Sequence, residues 1–286
     1  MPNFIMGNGM SGSILITGCS SGIGLCAAKT LQDRGWLVIA SCRQDKDVIS
    51  LQKMGLKHVL RLDLNDELSI ESGFAGALEI AGGKLDALFN NGAYGQPGAV
   101  EDLTTDALRL QFEANVFGTH TLTRLAVKHM LLQGSGRIVQ NSSVLGLVAM
   151  PFRGAYNASK FALEGLTDTL RLELKDSPVS ISLIEPGPIE SQFRANALIA
   201  LKANVDIQGS RHQAGYEAAM ARLSASKSNS SFTLPADVVV KKLIHALESD
   251  RPKARYFVTF PTYLMAFLKR IFPIAWLDAV LIKGGS

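Results

Sequence analysis

The stretch SVLGLVAMPFRGAYNASK, from Ser143 to Lys160, holds three groups whose spacing suggests chemistry. Tyr156 and Lys160 stand four positions apart, and Ser143 precedes the tyrosine by thirteen. On a helix, residues i and i+4 share a face. A phenol has a reference pKa of about 10, too high for easy proton exchange near neutrality. A neighbouring ammonium favours the phenolate and lowers that value. The set therefore predicts proton transfer to or from an oxygen atom. Taken alone, Y-x-x-x-K is common and suits an ordinary surface helix equally well, so the rest of the chain must decide.

A second group of residues predicts a phosphate site. TGCSSGIG (17–24) follows the apolar run SILITG and opens a helical pattern. In that context Gly18 permits a tight turn, Gly22 lets the backbone approach a pyrophosphate, and Gly24 lets the helix pack close to a sheet. The free N–H groups and the dipole at the helix start favour an anion. Cys19, inside the loop, reads as a passive small residue rather than a reactive thiol. The next strand ends in SCR, with no acid before Asp45. An acidic residue at this place bonds the ribose 2′-hydroxyl of NAD, whereas an arginine accommodates the 2′-phosphate of NADP. Arg43 therefore predicts NADP(H), its alternative reading being an ordinary surface charge.

These groups need a scaffold, and the chain alternates strand and helix patterns. Strands are expected at 13–18, 36–43, 58–64, 85–92, 136–143 and 179–187. Helices are expected at 24–35, 45–54, 66–82 and 154–175, with one long helical pattern over 104–132. Such alternation predicts βαβ units and a parallel sheet covered on both faces, a Rossmann-type doubly wound, three-layer α/β/α fold. One NAD(P)-binding domain is expected over 1–286. Residues 1–12 read as a loose extension and 190–232 as an insertion placed to form a substrate lid, or else a surface loop without a role. The segment 255–286 is strongly apolar. Its longest uncharged run, Tyr256 to Leu268, contains Pro261 and is shorter than the roughly 20 residues a spanning helix needs. A core strand followed by a dimer-facing or lid-like helix is the preferred reading, with peripheral membrane contact through 255–283 as the other.

Composition narrows the function classes. The 286 residues are 47% hydrophobic and 19% charged, as in a soluble globular protein, with a formal net charge of +4. No basic block with interleaved aromatics is present, so nucleic-acid binding is not expected. Cys19, Cys26 and Cys42 have neither CxxC spacing nor nearby histidines, which argues against a zinc site and a disulfide framework and for the cytoplasm. His58, His120, His129, His212 and His245 show no ligand spacing, and no metal is expected.

The chain resembles the short-chain dehydrogenase/reductase family over nearly its whole length from Ser13. The resemblance rests on T-G-x-x-x-G-I-G (17–24), DL at 63–64, NNGA at 90–93, Asn115 in EANVFG, the Ser143–Tyr156–Lys160 set, and PGPIES at 186–191. NNGA departs from the family's N-N-A-G, with its last two residues exchanged. Within the family the chain is most similar to bacterial NADP-dependent aldehyde reductases and to 17β-hydroxysteroid dehydrogenase-like and retinol dehydrogenase-like members. The resemblance implies catalysis by Asn115, Ser143, Tyr156 and Lys160. Tyr156 would be the general acid in carbonyl reduction, Lys160 would lower its pKa and bind the nicotinamide ribose, Ser143 would polarise the substrate oxygen, and Asn115 would position a water leading to Lys160. It implies cofactor contacts from Gly18, Ser20, Ser21, Gly22, Ile23, Gly24, Arg43, Asp63, Leu64, Asn91, Tyr156, Lys160, Pro186, Gly187 and Ile189. Tyr94, Val144 and Phe193 are expected to line an apolar substrate site, with ordinary packing as their alternative role. Asn115 could instead only satisfy backbone groups, and Asp63 only cap its turn. The expected partners are a small carbonyl or alcohol substrate and further copies of the chain, through the long helices at 104–132 and 154–175. A non-catalytic NADP(H)-binding sensor or scaffold, and a membrane-surface lipid or retinoid reductase, are the competing readings.

Overall fold

The computed structural model describes residues 12–225 and 232–285, so the expected extension apart from Gly12, and residues 226–231 of the insertion, lie outside the described residues. Short aliphatic runs form β1 (Ser13–Ile16), β2 (Leu37–Cys42), β3 (His58–Arg61), β4 (Ala87–Asn90), β5 (Gly136–Asn141), β6 (Val179–Pro186) and β7 (Arg255–Val258). All neighbours pair parallel, in the order β3-β2-β1-β4-β5-β6-β7. The sheet is the Rossmann-type doubly wound one expected from the sequence.

Side-chain alternation along the strands supplies a core to each face. Ile14 and Ile16 of β1 point to one side, against Ala27, Ala28 and Leu31 of α1 (Gly22–Asp33). Leu15 points to the other, where Phe74 of α3 (Glu67–Ile80) joins Leu122, Ala126 and Met130 of α5 (Thr119–Gln133). Between them in the chain lie α2 (Asp45–Lys53), after β2, and α4 (Thr105–Phe112), before α5. Of the catalytic candidates, Tyr156 and Lys160 fall on α6 (Gly154–Glu173), Ser143 just beyond β5, and Asn115 between α4 and α5.

The long helix expected over 104–132 is interrupted. A π-helical turn, Glu113–Gly118, separates α4 from α5. Thr119 Oγ1 donates to the Ala114 carbonyl at 3.1 Å across that wide turn. A Cβ at Gly118 would stand 1.9 Å from the Leu64 carbonyl oxygen, so only glycine lets the helix pass beneath that loop.

The insertion carries α7 (Phe193–Asn204) and α8 (Gln213–Ser224), and a parallel bridge between Ile189 and Leu234 brackets it. A helix unforeseen in the sequence, α9 (Asp237–Glu248), presents Val239, Val240, Leu243 and Leu247 to the α1 side of the core, the apolar spacing of an amphipathic helix. The chain ends in α10 (Phe260–Ile271) and α11 (Ile274–Gly285). No helix of the described residues is long and apolar enough to cross a membrane.

Candidate active site

In a doubly wound sheet the crevice lies beyond the carboxyl ends of the strands, where strand order reverses. Here that point is between β1 and β4, and the loops leaving both strands nearly touch. Gly18 has φ +70°, and a Cβ on it would stand 2.7 Å from Gly92 Cα. One on Gly24 would stand 2.3 Å from the Gly18 carbonyl oxygen, and one on Gly22 (φ +56°) would stand 2.9 Å from Ser191 Cβ. Thr17 Oγ1 accepts from the backbone N–H groups of Asn91 and Gly92 at 3.0 and 2.9 Å. Asn91 Nδ2 donates to the Thr17 and Gly18 carbonyls, and its Oδ1 accepts from Asn141 Nδ2 at 2.9 Å. A Cβ at Gly92 would meet Leu64 Cδ1 at 3.0 Å, so the NNGA order suits a tighter approach here.

This cradle fits a dinucleotide. Ser21, the N-cap of α1, is extended and makes no side-chain capping bond, and the first turn has no acid to occupy the positive end of the helix. Ser20 is exposed, and Ser21 and Ile23 are half-buried, at the lip of the same turn. Arg43 is exposed immediately beyond β2. Asp63 Oδ1 accepts from Asn65 N and Nδ2 at 3.0 and 3.1 Å, so its carboxylate does cap the turn after β3. On the opposite side Pro186 ends β6, and a Cβ at Gly187 would stand 2.2 Å from Thr259 Oγ1. Cys19 is buried and its thiol is pushed up to about 12 by that burial, an inert packing residue.

The catalytic candidates converge beside the cradle. Ser143 follows β5 and caps a short turn, accepting from Leu145 N at 3.1 Å. Tyr156 and Lys160 lie one turn apart on α6, with Lys160 Nζ 5.6 Å from the tyrosine ring centroid. Lys160 is buried, and its Nζ donates to the Asn141 carbonyl at 2.7 Å. Burial pushes the Tyr156 phenol up to about 12, with Ser143 beside it opposing the shift. Burial pulls Lys160 down to about 8, with Glu164 opposing. The spacing predicts a phenol lowered by its lysine, but desolvation wins in the folded chain and holds Tyr156 in its protonated form.

Asn115 is buried in the π-helical turn. Its Oδ1 accepts from Tyr94 N at 2.8 Å, and its Nδ2 donates to Tyr94 O at 2.9 Å and to Ser159 Oγ at 3.1 Å. Ser159 Oγ in turn donates to the Tyr156 carbonyl at 2.8 Å. The amide thus clamps the loop after β4 to the catalytic helix, the backbone-satisfying role; its side-chain partners do not include Lys160. Of the expected lining, Phe193 meets Tyr156 edge-on with centroids 5.2 Å apart. Val144 shares an apolar cluster with Leu145, Val148 and Leu281, against which Tyr156 packs. The Tyr94 hydroxyl instead donates to Gln96 Oε1 at 2.8 Å and accepts from Asn204 Nδ2 of α7.

Sequence reasoning missed several supports. Buried Gln111 donates to Tyr94 O at 2.7 Å and accepts from Gln96 N at 2.7 Å. Asn141 supplies the carbonyl that holds Lys160. Behind the lysine, Arg255 of β7 pairs with Glu164 and Asp168 of α6 and Glu185 of β6. Glu164 and Asp168 continue the i+4 line from Tyr156 and Lys160, the one signal that could have shown them.

A parallel doubly wound sheet, a glycine cradle at its switch point, and Tyr156 and Lys160 on the adjoining helix with Ser143 just beyond β5 define a nicotinamide-dinucleotide oxidoreductase. The family model described as short chain dehydrogenase matches residues 13–202, and the chain belongs to the short-chain dehydrogenase/reductase family. The uncharacterized oxidoreductase YbbO of Escherichia coli (strain K12) is 39% identical over 277 residues, 97% of this chain and 96% of that one. An NADPH-dependent 3-dehydrocapnine reductase of Ornithobacterium rhinotracheale is 28% identical over 94% of this chain and 95% of its own. A Burkholderia phymatum short chain dehydrogenase/reductase solved with NAD superposes with a TM-score of 0.77 at 25% identity, covering 93% of this chain and 94% of that one. The protein is accordingly an oxidoreductase of the carbonyl/alcohol class whose family cofactor is NAD(P).

Proposed function

We propose that this protein is an NADPH-dependent carbonyl reductase, or alcohol dehydrogenase in reverse, acting on an apolar aldehyde, ketone or steroid-like substrate. The observation that carries this reading is the meeting of Ser143, Tyr156 and Lys160 beside the glycine cradle, with apolar Val144 and Phe193 against the phenol. The preference for NADP(H) rests on Arg43, which follows β2 where no acid stands before Asp45, and it agrees with the name of the NADPH-dependent relative. The whole chain reads as one NAD(P)-binding unit, and three free cysteines suit a reducing cytoplasm.

When bound, the dinucleotide supplies or accepts the hydride. Tyr156, protonated at neutral pH, gives its proton to the carbonyl oxygen in reduction and takes it back in oxidation. The Ser143 hydroxyl donates to the same oxygen and stabilises the charge that develops there. Lys160 binds the ribose hydroxyls and favours the phenolate once the proton has left. Asn115 and Gln111 are positioning residues that hold the loop after β4 against α6.

Initial rates of NADPH and NADH consumption with aliphatic and aromatic aldehydes, quinones and keto-steroids test the reading. Turnover is expected with NADPH, and Tyr156→Phe should lower it by about 10²- to 10⁴-fold. Tight NADPH binding without turnover of any carbonyl or alcohol would favour a sensor instead.

A further inference from the structure

Several guanidinium groups of this protein pair with carboxylates: Arg34 with Glu248, Arg171 with Asp168, Arg211 with Glu101, and Arg255 with three acids. Three arginines around the catalytic helix do not. Arg153 immediately precedes α6, three residues before Tyr156, and is half-buried with Nη1 2.7 Å from Met150 Sδ. Arg194 follows Phe193, the residue whose ring meets Tyr156. Its Nη2 donates to the Arg222 carbonyl, tying the start of α7 to the last turn of α8. α8 is also seated beside Arg153, because Tyr216 and His212 pack edge-on against Phe152 at 5.3 and 5.6 Å.

Among the described residues no carboxylate pairs with any of the three. Burial pulls Arg153 down to about 10, with Arg222 repelling it, and Arg222 is lowered by burial and by Arg194. Partly desolvated like charges without a counter-charge are unfavourable unless an anion completes them. Guanidinium forks match planar or tetrahedral oxyanions in paired hydrogen bonds.

We propose that Arg153, Arg194 and Arg222 form an anion subsite beside Tyr156 that holds a carboxylate or phosphate group on the carbonyl substrate. This rests on the reading of Tyr156 as the proton donor. It narrows the substrate class to molecules with an apolar body and one acidic end, and it gives the insertion a binding task of its own.

The test compares kcat/KM with NADPH for a long-chain keto acid, its phosphate-ended analogue and the neutral methyl ester of the acid. Wild type, Arg222→Gln, Arg194→Gln and Arg222→Lys are used. Wild type should prefer an acidic form, and either glutamine variant should lower the acid-to-ester ratio by about 10- to 100-fold, with partial rescue by lysine. The relative rates of carboxylate and phosphate identify the group. Added salt should lower the ratio in wild type, a readout that needs no variant. Turnover of the ester without preference for either acid overturns the subsite while leaving the reductase reading intact. If neither form turns over, a rise in melting temperature with the keto acid that Arg222→Gln abolishes supports the subsite and isolates the failure in the reductase reading. Weakened NADPH binding in the variants with an unchanged ratio assigns the arginines to the cofactor and overturns the proposal.

Discussion

At the residue scale, chemistry and spacing speak most directly. Tyr156, Lys160 and Ser143 were legible because a helical turn and a strand end convert sequence separation into distance. Arg43 stands exposed immediately beyond β2, at the strand end where the sequence puts it, and the cofactor preference proposed for it rests on that position. Arg43→Asp should reverse cofactor preference, lowering NADPH affinity by about 10- to 100-fold through loss of a charge-assisted contact. Titration of both dinucleotides by fluorescence checks this, and an unchanged ratio would refute the NADP(H) assignment. The direction of the Tyr156 shift was not legible. It depends on how much of α6 the surrounding elements desolvate, which no i+4 rule contains.

At the element scale, α6 has two functions along one face. Its first turns carry Tyr156 and Lys160, and its later turns carry Glu164 and Asp168 into the Arg255 network with Glu185. Glu185 is buried, and its carboxyl is pushed up by that burial first and by Glu164 next, with Arg255 opposing. A carboxyl raised in the folded state binds more protons folded than unfolded between the two values. Its contribution is therefore fully present below the ordinary carboxylate value and is lost as pH rises towards the raised one, at about 8. Stability of wild type relative to Glu185→Gln should therefore fall between pH 5 and pH 8. Urea midpoints across that range measure it, and parallel pH profiles for the two proteins would contradict the shift. The network escaped the sequence because its acids come from α6 and β6 and its arginine from β7, elements that only the strand order brings together. The π-helical turn escaped for a related reason, since the need for glycine at 118 comes from Leu64, across the fold.

At the scale of the whole molecule, large apolar side chains remain outside the sheet. On α6, Phe161, Leu166 and Leu172 are exposed, where we propose a contact between copies of the chain. On α11, Leu277 and Leu281 face the Val144 cluster, whereas Phe260, Tyr263, Phe267, Ile271, Ile274 and Trp276 of α10 and α11 are exposed, as is Arg270; Lys269 turns toward α6, its Nζ 4.7 Å from the Phe161 ring centroid. The inward pair supports the lid-like reading of this segment. For this outward face we propose peripheral membrane contact, because exposed apolar and aromatic residues beside Arg270 suit an anionic bilayer surface. Flotation with vesicles containing phosphatidylglycerol should capture wild type and lose Phe267→Ser/Ile271→Ser. Absence of wild type from the floated fraction would leave the face to the lid or to another copy. By itself, the sequence determined the alternation of strands and helices, the glycine cradle and the Ser–Tyr–Lys spacing, because each is set by local periodicity or by backbone freedom. Only the tertiary structure decided which acids stand behind Lys160, which arginines pair with no carboxylate among the described residues, and which faces of the last helices turn inward. Those outcomes depend on burial and on contacts between residues far apart in the chain.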